Sequence, residues 1–342
     1  IFDEIQNAPK ALTSLKYFHE DRPNLHVIAA GSLLGVTLDL GSFPVGKVEF
    51  VNIYPMSFEE FLMADDESGL FKLLEKADFN TISAFHDKYI HVLRTYYLVG
   101  GMPEAVSTYL NNKSNFAEVK QVQNNILKAY LQDFAKHAPS STIPKIISVW
   151  ESLVSQLAKE NKKFIYGLLK SGARAREYES AIDWLVNYGL INKIHAVNKV
   201  GFPLKSYKDL KSFKLYILDV GLLSNLANLH PNVIIDNNSF FKEFKGALTE
   251  QFVQQELTFA GVSDISYWSK TNGQAELDFM FDYNGVFYPL EVKAAENLHS
   301  KSLSVFHKKY SKLHCFRTSL SKFRKEEWMT NIPLYAIGKI LN

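Results

Sequence analysis

An α/β fold in several consecutive units is what this sequence predicts, and three patterns carry that expectation. An apolar start ending in Asp3-Glu4 and the largely apolar residues 25–32 flank a helix-patterned stretch, the order of a strand-helix-strand unit in a parallel sheet. Residues 57–130 keep helical spacing of apolar side chains almost throughout. Near the C-terminus, Asn284-Gly285 separates two apolar runs. That dipeptide is a strong hairpin signal, because both central residues of a type I′ turn take positive φ.

At 342 residues the chain is long for one domain. Its patterning divides it into four units, residues 1–56, 57–135, 136–235 and 236–342. The first opens Phe2-Asp3-Glu4-Ile5-Gln6 with a strand already under way, as a fragment of a longer protein would. An apolar strand ending in Asp-Glu is the Walker B pattern, in which the Asp holds Mg²⁺ through its water shell and the Glu polarises the attacking water. Residues 9–20 follow as a helix with Leu12, Leu15 and Phe18 in register, then 25–32 as a buried strand ending at Ser32. Polar residues at neighbouring strand ends are how an open parallel sheet presents a nucleotide site.

The second unit is an amphipathic helical segment, with Phe58, Phe61 and Leu62 and then Leu70, Leu73 and Leu74 in register. Gly100-Gly101-Met102-Pro103 punctuates it, Pro103 suiting a helix first turn. In the third unit three helices are expected between residues 143 and 190, with Tyr178, Ala181, Trp184 and Leu185 as one core stripe. Strands at 191–196 and 215–218 complete a helix-helix-helix-hairpin order, compatible with a winged helix. Arg174 and Arg176 near the start of its third helix could touch DNA phosphates, or serve only as surface arginines.

In the fourth unit a two-residue loop sets Tyr283 against Val286, Asp278 against Glu291 and Glu276 against Lys293. Strand alternation then puts those four charged residues on one face and Leu277, Phe279, Leu290 and Val292 on the other. Carboxylates directly across a strand pair repel, so a compensating cation is expected. Mg²⁺ suits hard oxygen ligands and often uses only one or two carboxylates. Two alternatives stay open. Pro289 lacks a ladder donor and would suit a bulge or an edge strand, and a four-residue loop would set Asp278 against Pro289. The bland reading is a solvated face of surface ion pairs worth little.

The Asp278, Glu291-Val292-Lys293 pattern on adjacent strands resembles the PD-(D/E)xK nuclease superfamily. The resemblance implies that Asp278 and Glu291 bind the metal, that Lys293 orients water or steadies phosphate charge, and that Glu250 adds a carboxylate from a preceding helix. A wider resemblance covers nearly the whole chain. Phe2-Asp3-Glu4-Ile5-Gln6, Gly31-Ser32, Gly46-Lys47, Tyr54-Pro55-Met56-Ser57-Phe58, Gly100-Gly101-Met102-Pro103-Glu104 and residues 214–223 follow the order seen in a group of bacterial and archaeal AAA-type ATPases whose C-terminal domain has no assigned function. It implies Asp3 as the Mg²⁺-side acid, Glu4 as catalytic base and Ser32 as γ-phosphate sensor. The family usually has Arg where Lys47 stands, and Lys keeps the charge but loses the bidentate fork. The second and third units would then be a helical lid and a winged-helix-like segment. No G-x-x-x-x-G-K-[S/T] loop occurs in these residues, so ATP is expected as a cofactor of the full-length parent, with poor binding by this chain.

Composition is that of an ordinary globular protein, with 46% hydrophobic and 22% charged residues and a net charge of +2. Residues 297–325 contain no Asp or Glu but carry Lys301, Lys308, Lys309, Lys312, Arg317, Lys322, Arg324 and Lys325. Such a stretch suits a phosphate backbone, making DNA the expected partner and a protein partner the alternative. Cys315 is the only cysteine, which rules out an intramolecular disulfide, and no His/Cys cluster has zinc spacing. Without a secretory signal or a membrane span, the cytoplasm is the expected location.

Overall fold

The structure is a computed structural model and describes residues 1–31, 46–65, 67–113, 115–235, 242–270, 275–295 and 300–341. At the N-terminus Phe2 and Ala29 form a parallel bridge, with Phe2 N–H donating to Ile28 and Ala30 N–H to Phe2, both at 2.8 Å. Helix α1 (Pro9–Asp21) connects them. The expected strand stops early: Glu4 has φ 50° and the chain turns into a 3-10 segment at Ile5–Asn7.

Helices α2 (Phe58–Ala64), α3 (Ser68–Glu75), α4 (Phe79–Ala84), α5 (His86–Val99), α6 (Pro103–Asn111) and α7 (Phe116–His137) fill the second unit. Helix α2 begins at a capping box, in which Ser57 Oγ accepts from Glu60 N–H and Glu60 accepts from Ser57 N–H. Its Phe58, Phe61 and Leu62 are buried at helical spacing. The third unit holds α8 (Ile143–Leu157), a 3-10 turn at Tyr166–Leu168 and α9 (Ala175–Asn187), whose Tyr178, Ala181, Trp184 and Leu185 are buried as the stripe requires. The middle of the three expected helices is thus a single turn.

Strands β1 (Ile191–Val197) and β2 (Lys208–Ile217) form the expected antiparallel hairpin. They are not a free wing. After α10 (Val220–Leu226), α11 (Pro231–Ile235) and α12 (Lys242–Phe259) come β3 (Ser266–Ser269), β4 (Glu276–Tyr283), β5 (Val286–Val292), α13 (Lys301–Lys309), β6 (Cys315–Ser319), β7 (Arg324–Lys325) and β8 (Met329–Pro333). The described strands join in one sheet of order β2-β1-β3-β4-β5-β6-β8-β7, with β1 parallel to β3. The sheet therefore runs across residue 236.

Asn284 (φ 48°) and Gly285 (φ 77°) make the β4–β5 turn, and Tyr283 faces Val286 through to Phe279 facing Leu290. Pro289 faces Met280 within that unbroken register, so it causes no bulge there. The irregularity is on the other side of β4: Ser266 faces Met280 while Trp268 faces Leu277, leaving β4 one residue longer than β3 across that interval. This corrects the expected face. Leu277 joins Met280, Trp268, Leu303, Phe306 and Cys315 in a core beside α13, whereas Phe279, Leu290 and Val292 join the larger core.

Helix α12 is buried from Ala247 to Leu257 although it carries Thr249, Glu250, Gln251, Gln254, Gln255 and Glu256. Buried polar groups must be paired, and these are. Gln251 accepts from Ile217 N–H (2.9 Å) and donates to Ile217 O (2.6 Å). Gln255 accepts from Val220 N–H (2.9 Å) and donates to Tyr96 Oη (2.8 Å), whose hydroxyl donates to Met56 O. Glu256 accepts from Phe58 N–H at 3.0 Å. Beside this helix, Asp219 caps α10 by accepting from Leu222 N–H (2.9 Å) and also accepts from Gly101 N–H (2.7 Å).

The two glycines at 100 and 101 are required by this packing. A Cβ on Gly100 would lie 2.2 Å from Asp219 Oδ1, and one on Gly101 would lie 2.1 Å from Met56 O. Gly101→Ala must move backbone, and a loss of about 3 kcal/mol is expected in urea unfolding.

Burial pushes the Asp219 carboxyl up to about 6, against the donors from Gly101, Leu222 and Gly221. Burial also pushes Glu256 up to about 8; Phe58 N–H and Lys339 oppose this, while Glu59 and Glu60 add to it. A carboxyl raised in the folded state contributes stability that is full below its unfolded value near 4.5 and lost as pH climbs through its folded value. Stability should therefore fall between about pH 4.5 and pH 8. Glu256→Gln should flatten that decline in denaturation series run at each pH.

Candidate active site

Four carboxylates and four lysines meet around the start of β4 and the end of β5. The first acid comes from α12. Glu250 is 7% exposed by its side chain; its Oε1 accepts from Lys162 Nζ at 2.7 Å, and its Oε2 from the Tyr216 hydroxyl at 3.1 Å, with Lys214 Nζ at 3.8 Å. Lys214 on β2 is only 1% exposed and reaches Glu276 Oε1 at 2.7 Å, over the Tyr267 ring. Lys163 approaches Glu276 Oε2 at 3.9 Å.

Asp278 is partly buried, and its Oδ2 accepts from Val292 N–H at 2.7 Å. This carboxylate takes up the strand donor just past the last regular pair of the ladder. Glu291, at 4% exposure, accepts from Lys293 Nζ at 2.6 Å through Oε1. Its Oε2 is buried, and the Ser300 hydroxyl at the start of α13 lies against the same carboxylate.

Burial raises the Asp278 carboxyl well above the ordinary range, and the charges of Glu250 and Glu291 push the same way against Lys214 and Lys162. Burial raises Glu291 too, held back by Lys293 and the nearby Ser300 hydroxyl. Glu250 goes down: its burial is outweighed by Lys214, Lys162 and Tyr216. For Lys214 and Lys293 burial favours the neutral amine, but the surrounding acids reverse this and hold both ammonium groups above the usual range. The acids and ammonium groups therefore form one electrostatic unit.

The structure thus places Asp278, Glu291, Lys293 and Glu250 within electrostatic reach of one another. Glu276 is drawn to Lys214 rather than set against Lys293. Among the described residues no three or more His, Cys, Asp or Glu side chains cluster closely enough to hold a metal ion. Asp278 and Glu291 offer hard carboxylate oxygens of the kind Mg²⁺ takes, with Lys293 and Ser300 already engaging Glu291.

At the N-terminus, Asp3 and Glu4 are exposed, with Asp3 Oδ1 accepting from Glu4 N–H at 3.0 Å. Ser32 lies outside the described residues. Lys47 pairs with Glu20 at 3.8 Å at the C-terminal end of α1, beside a pocket of about 340 Å³ lined by Leu12, Leu15, Phe18 and Phe50. In the basic stretch Lys308, Lys309 and Lys312 are exposed, while Arg317 is 2% exposed and bonded to Asn331, so it is no part of that surface. Arg174 and Arg176 are exposed at the start of α9. No helix of the described residues is long and apolar enough to cross a membrane.

Sequence reasoning missed Lys162, Lys214 and Tyr216. Lys214 had a signal: it interrupts the apolar run Phe213-Lys214-Leu215-Tyr216-Ile217, and a lysine buried there needs an acid partner. Lys214→Met keeps the volume but leaves Glu250 and Glu276 without it. A loss of about 3–5 kcal/mol is expected by chemical denaturation, as when one partner of a buried pair is removed.

Three matches to protein-family models cover most of the chain. Residues 1–62 match an AAA domain, residues 90–233 a domain of unknown function (DUF8612), and residues 245–337 a second domain of unknown function (DUF4143). No curated protein and no solved structure matches. The AAA match carries the Asp3-Glu4 segment; the DUF4143 match, a domain typical of AAA-ATPase fusions, carries Glu250, Glu276, Asp278, Glu291 and Lys293, and the DUF8612 match carries Lys162, Lys163 and Lys214. By these matches the chain is similar to an AAA-type, ATPase-like protein.

Proposed function

We propose that the chain is part of an ATP-binding, AAA-type protein whose C-terminal domain acts on a phosphodiester backbone, DNA being the substrate favoured. The observation that carries this reading is the buried Glu291 paired with Lys293, with Asp278 close enough to feel its charge. Asp278 and Glu291 would hold Mg²⁺. When bound, such an ion activates water and steadies the leaving oxygen. Lys293 brings a fixed positive charge to the same place, suited to the charge that develops on phosphate. Glu250 keeps Lys162 and Lys214 in position. The exposed Lys308, Lys309 and Lys312 would meet the backbone, where neutralised phosphates release counterions. Asp3, Glu4, Ser32 and Lys47 are assigned to nucleotide in the parent protein, with Asp3 on the Mg²⁺ side.

A second reading is a binding module that keeps this architecture without cutting. Its support is that Glu250, Glu276 and Glu291 are each already paired with a lysine. Metal response separates the two. Mg²⁺ or Mn²⁺ should raise the melting temperature of the chain and fail to raise that of Asp278→Ala; absence of any response favours the module. On DNA, log affinity should fall linearly with log salt. Replacing Lys308, Lys309 and Lys312 by Gln should reduce that slope by roughly one per lost contact. Affinity undetectable at low salt would turn the reading toward a protein partner.

A further inference from the structure

Resting on the DNA reading above, we propose that the β1–β2 loop and the C-terminal end of α13 form a platform for single-stranded DNA: an unpaired base stacks on the exposed Phe202 ring while neighbouring phosphates meet Lys199 and Lys309.

Phe202 stacks on Phe287 of β5, with ring centroids 4.1 Å apart and planes 19° from parallel. The residue is 56% exposed, which leaves the other face of the ring to water. A single exposed phenylalanine needs no explanation. This one is held in place. Leu204 is 1% exposed in the core beside α13. Gly201 lies so close to Tyr207 that a Cβ there would come within 2.9 Å of the ring. Val200 N–H donates to the Tyr310 hydroxyl at 3.3 Å. With the loop fixed at these points and the ring already stacked, a base that settles on Phe202 costs little further ordering.

The surroundings are cationic. Tyr310, which holds Val200 through its hydroxyl, has Lys309 Nζ 5.2 Å from its ring centroid. Lys199, next to Val200, places its Nζ 5.3 Å from the Tyr207 ring centroid. Both lysines are exposed, as are Lys308 and Lys312. Lys205 is drawn to Asp264 at 4.0 Å and is left out. Asp282 is in register with Phe287 and exposed, so its carboxylate repels phosphates on that side and turns them toward the lysines.

A fixed aromatic face flanked by ammonium groups is how proteins bind single strands without reading sequence, because every base has a π-face. In a duplex interior the neighbouring base pairs already cover those faces. The position along α13 also fits the reading. Its start at Ser300 lies against Glu291 and its end carries Lys309. The helix has nine residues, about 13 Å of rise, or about four stacked nucleotides. A strand held at Phe202 therefore lies within a few nucleotides of the acid-lysine cluster.

The test is fluorescence anisotropy of a labelled, mixed-sequence single strand and of its duplex, with the full chain at low salt and a chelator present to prevent cutting. The single strand is expected to bind more tightly. Phe202→Leu keeps an apolar side chain without the ring and should weaken single-strand binding by roughly tenfold or more, with duplex binding unchanged. Phe202→Trp should retain it. Lys199→Gln should reduce the single-strand salt slope by about 0.7. A 2-aminopurine in the strand should be quenched by the unchanged chain and not by Phe202→Leu. Duplex bound as tightly as the single strand, or Phe202→Leu affecting neither or both alike, would overturn the platform and leave the DNA reading standing. No binding of either form would overturn both.

Discussion

Everything in the C-terminal half is positioned by one helix that is buried on all sides and yet polar. An apolar helix in that place would be held by packing alone and could rotate or slide at modest cost. Helix α12 cannot, because Gln251, Gln255 and Glu256 each complete the backbone bonding of a different segment. Displacing the helix would strand both the side chain and its backbone partner, at about 1–3 kcal/mol for each unsatisfied group. The termini of β2, α10 and α2 are thereby indexed to one another. Glu250 on the same helix inherits that precision, which is what a reactive cluster needs from its supporting residues.

The ionic cluster itself is poor evidence for stability. Taking Glu250, Lys214 and Glu291 out of water costs several kcal/mol per ion, and a well-packed apolar set of similar volume often does as well or better. Its placement makes sense as binding chemistry: oxygen and ammonium groups held at fixed separations where water is scarce and their fields are strong. The raised carboxyl of Asp278 and the lowered one of Glu250 show two acids of one cluster driven apart by their neighbours. That divergence is common where acids do different work, although structural ion networks produce it too.

Local chemistry was legible in the sequence and long-range chemistry was not. The Asn284-Gly285 turn and its register depend on two adjacent residues that accept positive φ, and the core stripe of α9 depends only on helical period. Leu277 was placed on the wrong face because its orientation is decided by β3, through an extra residue that no periodicity within β4 reveals. Lys162 could not be found by pattern, since its partner Glu250 belongs to another unit and only the folded loop brings the two together. The winged-helix expectation counted helices correctly by polarity but not by length, because residues 166–168 form one 3-10 turn. The hairpin that followed was absorbed into the larger sheet, where β1 pairs with β3 and β2 forms the edge.

The Gly100-Gly101 step and Asp219 gain their meaning from the same contacts. The AAA match ends at residue 62, so it includes Met56 and Phe58; the DUF4143 match begins at residue 245, so it includes Gln255 and Glu256. The bond from Phe58 N–H to Glu256 thus joins the two matched segments directly, and Tyr96 ties Met56 to Gln255 beside it. Glu250 and Glu256 are six residues apart on one rigid helix, about 9 Å along its axis. A close-packed interior shifts as a unit rather than compressing. The Phe58 bond and the Glu250–Lys162 pair are thus held at a fixed separation by one helix, so the first matched segment and the acid-lysine cluster share a single rigid support.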